Sequence, residues 1–107
     1  MVKSKEQVVE IIRAYQLVLD ELFDGVQIRL YGSYLKGTAN EFSDIDIAVV
    51  SSDFYGISHD VAIKLLARLR LKIDRSLEPM PFTPDDLSFP VVGSLSYDVA
   101  AYNELIS

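Results

Sequence analysis

Leu30-Tyr31-Gly32-Ser33-Tyr34-Leu35-Lys36-Gly37-Thr38-Ala39-Asn40-Glu41-Phe42-Ser43-Asp44-Ile45-Asp46-Ile47-Ala48-Val49-Val50 is the stretch whose reading decides the fold. It reads as a strand, a Gly-Ser turn, a short helical or irregular connection and a second strand. Asp44, Ile45, Asp46 and Ile47 alternate polar and apolar, the period-two signature of a strand with two unlike faces. Residues two apart on a strand face the same way, with Cα atoms roughly 6.5–7 Å apart. Asp44 and Asp46 therefore present neighbouring carboxylates, while Ile45 and Ile47 face a core. Two such carboxylates repel and call for a cation between them. Mg²⁺ suits them, because it takes oxygen ligands at about 2.0–2.1 Å, keeps several waters and is commonly shared with substrate phosphates. The other end of the stretch supplies a place for those phosphates. Gly32 can take backbone angles closed to other residues and lets a ligand approach the main chain. Ser33 adds a hydroxyl, and the amides that follow can turn toward an anion. A phosphate cradle beside a metal-binding acid pair is equipment for phosphoryl or nucleotidyl transfer.

Composition bounds what surrounds this stretch. The 107 residues read as one domain, 1–107, long enough to bury roughly 60–70% of its unfolded surface. With 50% hydrophobic and 24% charged residues, the chain is of globular and not disordered type. No apolar run approaches the ~20 residues of a membrane helix. The opening Met1–Glu6 leads straight into a charged amphipathic pattern, so no secretory signal is expected. The absence of cysteine removes disulfides and thiolate zinc sites and makes the cytoplasm the default setting. Ten Lys and Arg against sixteen Asp and Glu give a net charge of −6. That balance grips a polyanion poorly, which speaks against long DNA or RNA and is compatible with a basic protein partner.

Working outward, the spacing of Val8, Ile12, Tyr15, Leu19 and Leu22 predicts a helix over residues 4–24, capped by Ser4 and stopped at Gly25. Val26 to Tyr31 alternates as the first strand, with Arg29 read as a solvated edge charge. Residues 51–56 form a polar loop, placed on the side where substrate enters, and Asp53 is read as a turn residue. Ser58 caps a second helix whose buried stripe is read as Val61, Leu65, Leu66 and Leu69, with Lys64, Arg68, Arg70 and Lys72 outward. His59, the one histidine, is read as solvated or capping. Leu77–Phe82 contains Pro79 and Pro81 and therefore fits only an edge strand. Thr83-Pro84-Asp85-Asp86 starts a helical turn, and a last helix is expected over residues 91–105.

Gly32-Ser33, ten intervening residues and then Asp44-x-Asp46 resemble the active-site signature of the DNA polymerase β-like nucleotidyltransferases. The wording Gly32-Ser33-Tyr34-x-x-Gly37 and Ser43-Asp44-Ile45-Asp46-Ile47 resembles in particular the minimal nucleotidyltransferases of bacteria and archaea. The likeness runs over nearly the whole chain, including Glu78-Pro79-Met80-Pro81-Phe82. It implies an α/β (α+β) fold, a mixed β-sheet flanked by helices. It also implies Mg²⁺-dependent transfer of a nucleoside monophosphate, AMP from ATP, to an acceptor, with Asp44, Asp46 and a third carboxylate on two Mg²⁺ ions. In the family that third acid comes from a strand beside the Asp-x-Asp strand. Glu78 is the choice here, because Leu77 and Pro79 face the other way, and Asp74 is the alternative, with the plainer reading that it ends the second helix. A Glu where relatives carry Asp is a departure in side-chain length. Gly32 and Ser33 would hold phosphates. Lys36 stands where relatives often carry Arg, and a phosphate contact or simple solvation both remain open. Minimal members lack the acceptor-binding domain of larger relatives and are commonly paired with a small helical HEPN protein, in some cases as antitoxin to a ribonuclease toxin. The acceptor surface would then come from such a partner, on a tyrosine, or from a second copy in a homo-oligomer. The alternative reading is a non-catalytic antitoxin or binding module that neutralises a partner by contact, although such a binder has no physical reason to keep adjacent like charges.

Overall fold

Strands β1 (Gln27–Leu30) and β2 (Ile45–Val50) pair antiparallel, Leu30 against Ile47 and Gln27 against Val50, at the centre of a computed structural model that describes residues 2–106. Strand β3 (Leu77–Phe82) lies beside β2 and parallel to it, and β4 (Glu104–Leu105) pairs antiparallel with β1, giving the sheet order β3-β2-β1-β4. Parallel neighbours need a crossover. A 3₁₀ turn (Ser52–Gly56) and the helix α3 (His59–Leu69) supply it. The β2–β3 ladder runs from Ile45 N donating to Ser76 O (2.7 Å) to Ser51 N donating to Phe82 O (3.1 Å). Its alternation turns the nitrogens of Pro79 and Pro81 away from β2, onto the sheet's outer edge, where the missing donors cost nothing.

The two sheet faces are covered unequally. Ile28, Leu30, Ile45, Ile47, Val49 and Leu77 meet α1 (Lys5–Asp20) through Val8, Ile12, Tyr15 and Leu19, and α3 through Ala62, Leu66 and Leu69. Each such aliphatic side chain contributes about 1.5–3 kcal/mol on burial. Tyr15 is fully buried and donates its hydroxyl to Leu66 O at 2.7 Å, tying α1 to α3. On the opposite face Ala48, Val50 and Phe82 pack against Val99 of α5 (Leu95–Ala101), with Leu87 of α4 (Pro84–Ser88) beside them. That second layer is small, and it packs on the Ala48–Val50 part of the sheet.

Several boundaries differ from expectation, each for a tertiary reason. Ser4 caps α1 in a capping box with Gln7, but the helix ends at Asp20, and Leu22 is 55% exposed. The chain instead turns so that Phe23 enters the core against Phe54, ring centroids 5.2 Å apart. In α3 the set Ala62, Leu66, Leu69 faces the sheet, and Val61 is 56% exposed. Arg70 leaves the outer face and donates from Nη1 to Leu77 O at 2.8 Å. Arg29 is not an edge charge: β4 takes the edge, and Arg29 Nη1 donates to Asn103 Oδ1 at 2.9 Å. The last helix covers only Leu95–Ala101, because Glu104–Leu105 pairs with β1 and Ile106 N donates to Ile28 O. The loop at 51–56 sits at the far end of β2, about 13 Å along the strand from Asp46 at ~3.3 Å per residue, and so does not border the acid pair. Asp53 accepts from Asp24 N there, as a turn residue. Among the described residues no helix is long and apolar enough to cross a membrane.

Candidate active site

Gly32 sits between β1 and a four-residue helix α2 (Ser33–Lys36), with φ +75° and ψ −154°. That backbone region is open essentially to glycine alone. There is a second reason for glycine. A Cβ at residue 32 would overlap Asp46 Oδ2 and come within 3.0 Å of Asp46 Cγ. The Gly32 main chain and the Asp46 carboxylate are thus in direct contact, and the two halves of the motif meet. Gly37 closes α2 in the left-handed region, at φ +78°, and Thr38 N donates to Ser33 O. The chain then turns on Asn40: Asn40 N donates to Ser43 Oγ (2.9 Å) and Phe42 N to Asn40 Oδ1 (2.8 Å). This turn delivers Asp44 to the start of β2.

Sheet register assembles the rest. Asp46 lies directly beside Glu78 in the parallel pairing, so both side chains leave the same face. Continuing the β1–β2 register by one residue places Tyr31 beside Asp46, and Tyr31 N donates to Asp46 O at 3.1 Å. Tyr31, Asp46 and Glu78 thereby form one row across three strands, with Asp44 two residues before Asp46. Electrostatics agree with that geometry. Burial, then Asp44, then Glu78 push the Asp46 carboxyl above the usual carboxylate range. Burial, then Asp46 and Glu78, push the Tyr31 phenol up to about 12. Tyr31 in this row went unnoticed in the sequence. Its place before Gly32 was visible, but its neighbour across the strand pair was not.

The remaining residues are placed as follows. Ser33 opens α2 and Lys36, exposed, ends it. Asp74 lies off the row, in the turn before β3, where Oδ1 accepts from Ser76 N (2.8 Å) and Ser76 Oγ (2.5 Å). Glu78, its side chain 51% exposed, has Oε2 3.5 Å from Arg70 Nη1. Among the described residues no three Asp, Glu or His side chains stand close enough to hold one ion in this conformation. The donor set nonetheless suits a hard cation. Asp46 and Glu78 leave one sheet face with Asp44 just before β2, and burial together with the charges of Asp44 and Glu78 raises the Asp46 carboxyl, an arrangement of oxygen donors that a bound cation would relieve. Next to this row a cavity of about 270 Å³ opens between β3 and α5, with Met80, Phe82, His59, Asp86 and Leu95 in its wall.

The family model described as "Nucleotidyltransferase domain" matches residues 12–98. The chain belongs to the nucleotidyltransferase domain family. A candidate protein adenylyltransferase of Methanocaldococcus jannaschii is 30% identical over 79 residues, covering 67% of this chain and 51% of that protein. The chain therefore spans about half the length of that relative. The crystal structure of a candidate nucleotidyltransferase from Sulfolobus solfataricus superposes with a TM-score of 0.69 over 98% of this chain and 89% of that one, at 15% identity. That likeness concerns the fold, a mixed sheet flanked by helices. For this nucleotidyltransferase domain the motif residues Gly32, Ser33, Asp44 and Asp46 all lie inside the matched segment.

Proposed function

We propose that this nucleotidyltransferase domain transfers a nucleoside monophosphate, AMP from ATP, to a hydroxyl of an acceptor protein in a Mg²⁺-dependent reaction. The observation that carries the reading is the contact between the Gly32 main chain and the Asp46 carboxylate, with Glu78 beside Asp46 on the same sheet face and Asp44 close enough for its charge to act on Asp46. The protein acceptor is suggested by the M. jannaschii relative, a candidate protein adenylyltransferase. In this reading residues 1–107 act as a single domain in the cytoplasm. Asp44, Asp46 and Glu78 would hold two divalent ions, with Asp74 the alternative third carboxylate.

Bound at that site, the metal would supply charge neutralisation at the phosphates and a lowered pKa for the attacking hydroxyl. The chain's own residues do the positioning. Gly32, lacking a Cβ, lets the triphosphate lie against the main chain, and the Ser33 hydroxyl and the Lys36 ammonium can donate to phosphate oxygens. The half-buried Tyr31 and Asp46 sit in a poorly hydrated floor, where fixed charges act more strongly than in water. The acceptor hydroxyl would be presented to Asp46 at the Tyr31 end of the sheet. A small helical HEPN-type protein, with a tyrosine as acceptor, fits the resemblance, and a second copy is the other source. Long nucleic acid is not expected as substrate at a net charge of −6.

The second reading, a non-catalytic antitoxin that neutralises such a partner by contact, draws on the exposed apolar segment of Phe89, Val91 and Val92, which are 79%, 71% and 79% exposed. Calorimetric titration of Mg²⁺-ATP separates the two. Binding by the native chain and its loss in Asp44→Ala/Asp46→Ala supports transfer, whereas no binding by either supports the contact-only reading.

A further inference from the structure

Glu78 belongs to the acidic row by register, yet its carboxylate is engaged elsewhere. Asp46 and Glu78 are direct partners on adjacent parallel strands, so the backbone alone would bring their carboxylates together. Instead Glu78 Oε2 lies 3.5 Å from Arg70 Nη1, on the outer side of the edge strand. Arg70 is itself anchored: the same Nη1 donates to Leu77 O at 2.8 Å, a carbonyl that the ladder leaves facing outward. The rest of the guanidinium is not saturated, since Nε is buried with no hydrogen-bond partner. The contact with Glu78 is therefore a single long one and not a bidentate fork, and it is half open to water. Pairs of this kind are weak and displaceable.

Resting on the metal-site reading above, we propose that Arg70 is a positioning residue that parks Glu78 outside the acidic row until a divalent cation draws it in. Two features support this. Glu78 is already near enough for its charge to act on Asp46, so without a cation a closer approach would only add to the repulsion at that residue. A side chain that must change partners also needs length, and Glu at position 78 has one methylene more than Asp. The extra reach lets one carboxylate serve the edge-strand guanidinium in one rotamer and the row in another. Arg70, fixed at Leu77 O, stays behind when Glu78 leaves.

The test is calorimetric titration of Mn²⁺ into the full chain without nucleotide, for the native protein, Arg70→Met, Glu78→Gln and the double variant. Met keeps the apolar stem and removes the competing charge. Arg70→Met is expected to bind Mn²⁺ about two- to five-fold more tightly, the equilibrium equivalent of losing one exposed ion pair. In the Glu78→Gln background the same change is expected to have no effect. Equal or weaker binding by Arg70→Met overturns the proposal. So does equal tightening with and without Glu78, which would mark a general field effect of the removed charge. If Arg70→Met does not fold, Arg70→Gln takes its place, since its amide can still donate to Leu77 O and carries no charge to hold Glu78. Tightening of the same sign is expected, and unchanged affinity again overturns the proposal. Absence of Mn²⁺ binding by the native protein and by every variant removes the metal site itself, and the parking role with it.

Discussion

Gly32→Ala is the substitution on which the site reading can most directly be tried. Two separate costs follow from the structure. The first is conformational: at φ +75° and ψ −154° an alanine is forced into a region populated essentially by glycine, at about 1–3 kcal/mol. The second is local: the new methyl would fall on Asp46 Oδ2, with Cγ and Cβ of the same residue at 3.0 and 3.1 Å. The carboxylate tip can rotate away. The Asp46 Cβ cannot move far, because the residue is held between Tyr31 N and the β3 ladder. For a domain of this size a loss of about 1–3 kcal/mol lowers the melting temperature by roughly 5–20 °C. Gly37→Ala is the control. It too has a positive φ, +78°, but a Cβ there meets nothing within 4 Å, so only a left-handed penalty of about 1–2 kcal/mol is expected. Both variants should melt lower in EDTA, but only Gly32→Ala should also lose Mg²⁺-ATP binding by calorimetry, since it alone displaces Asp46. If Gly32→Ala melts within a degree or two of the native protein, or binds Mg²⁺-ATP equally well, the close approach of Gly32 to Asp46 is not what holds the site together.

Asp46→Asn should leave thermal stability in EDTA unchanged or raised, because the native carboxylate is half-buried and repelled by Asp44 and Glu78. A clear fall in melting temperature would instead reveal a structural role for the charge. Asp74 gives the pH-dependent case. Burial acts to raise its carboxyl, but the two bonds from Ser76 and the charge of Lys3 outweigh it and hold the group below the usual range. A depressed folded value means the stabilisation is complete above the unfolded value near 3.9 and fades as pH falls through the folded one. Asp74→Asn should therefore melt lower than the native protein at pH 6 and converge with it in acid, with Mn²⁺ affinity unchanged. A stability difference that persists below pH 2, or a large loss of Mn²⁺ affinity, would be incompatible with its placement in the Ser76 turn.

Much of this fold was legible in local pattern, and what escaped was decided by pairing at a distance. The alternation Asp44-Ile45-Asp46-Ile47, the cap at Ser4, the turn at Gly32-Ser33 and the edge character of Pro79 and Pro81 depend on residues close together in the chain, so period, φ restriction and a missing N–H were enough to read them. Nothing local ends α1 at Asp20: Phe23 leaves the helical path because Phe54 waits for it, thirty-one residues away. Residues 102–105 continue a helical pattern until the open edge of β1 offers hydrogen bonds to residues 104–106, and backbone groups left unpaired there favour the strand. The acid pair could be seen in the sequence because its members are two residues apart on one strand. The row Tyr31–Asp46–Glu78, and the diversion of Glu78 to Arg70, exist only through the register of three strands. Register is a collective property, since sliding β3 by one residue would turn Glu78 to the opposite face, and the burial of Leu77, Pro79 and Pro81 on one face and of Phe82 on the other holds it where it is.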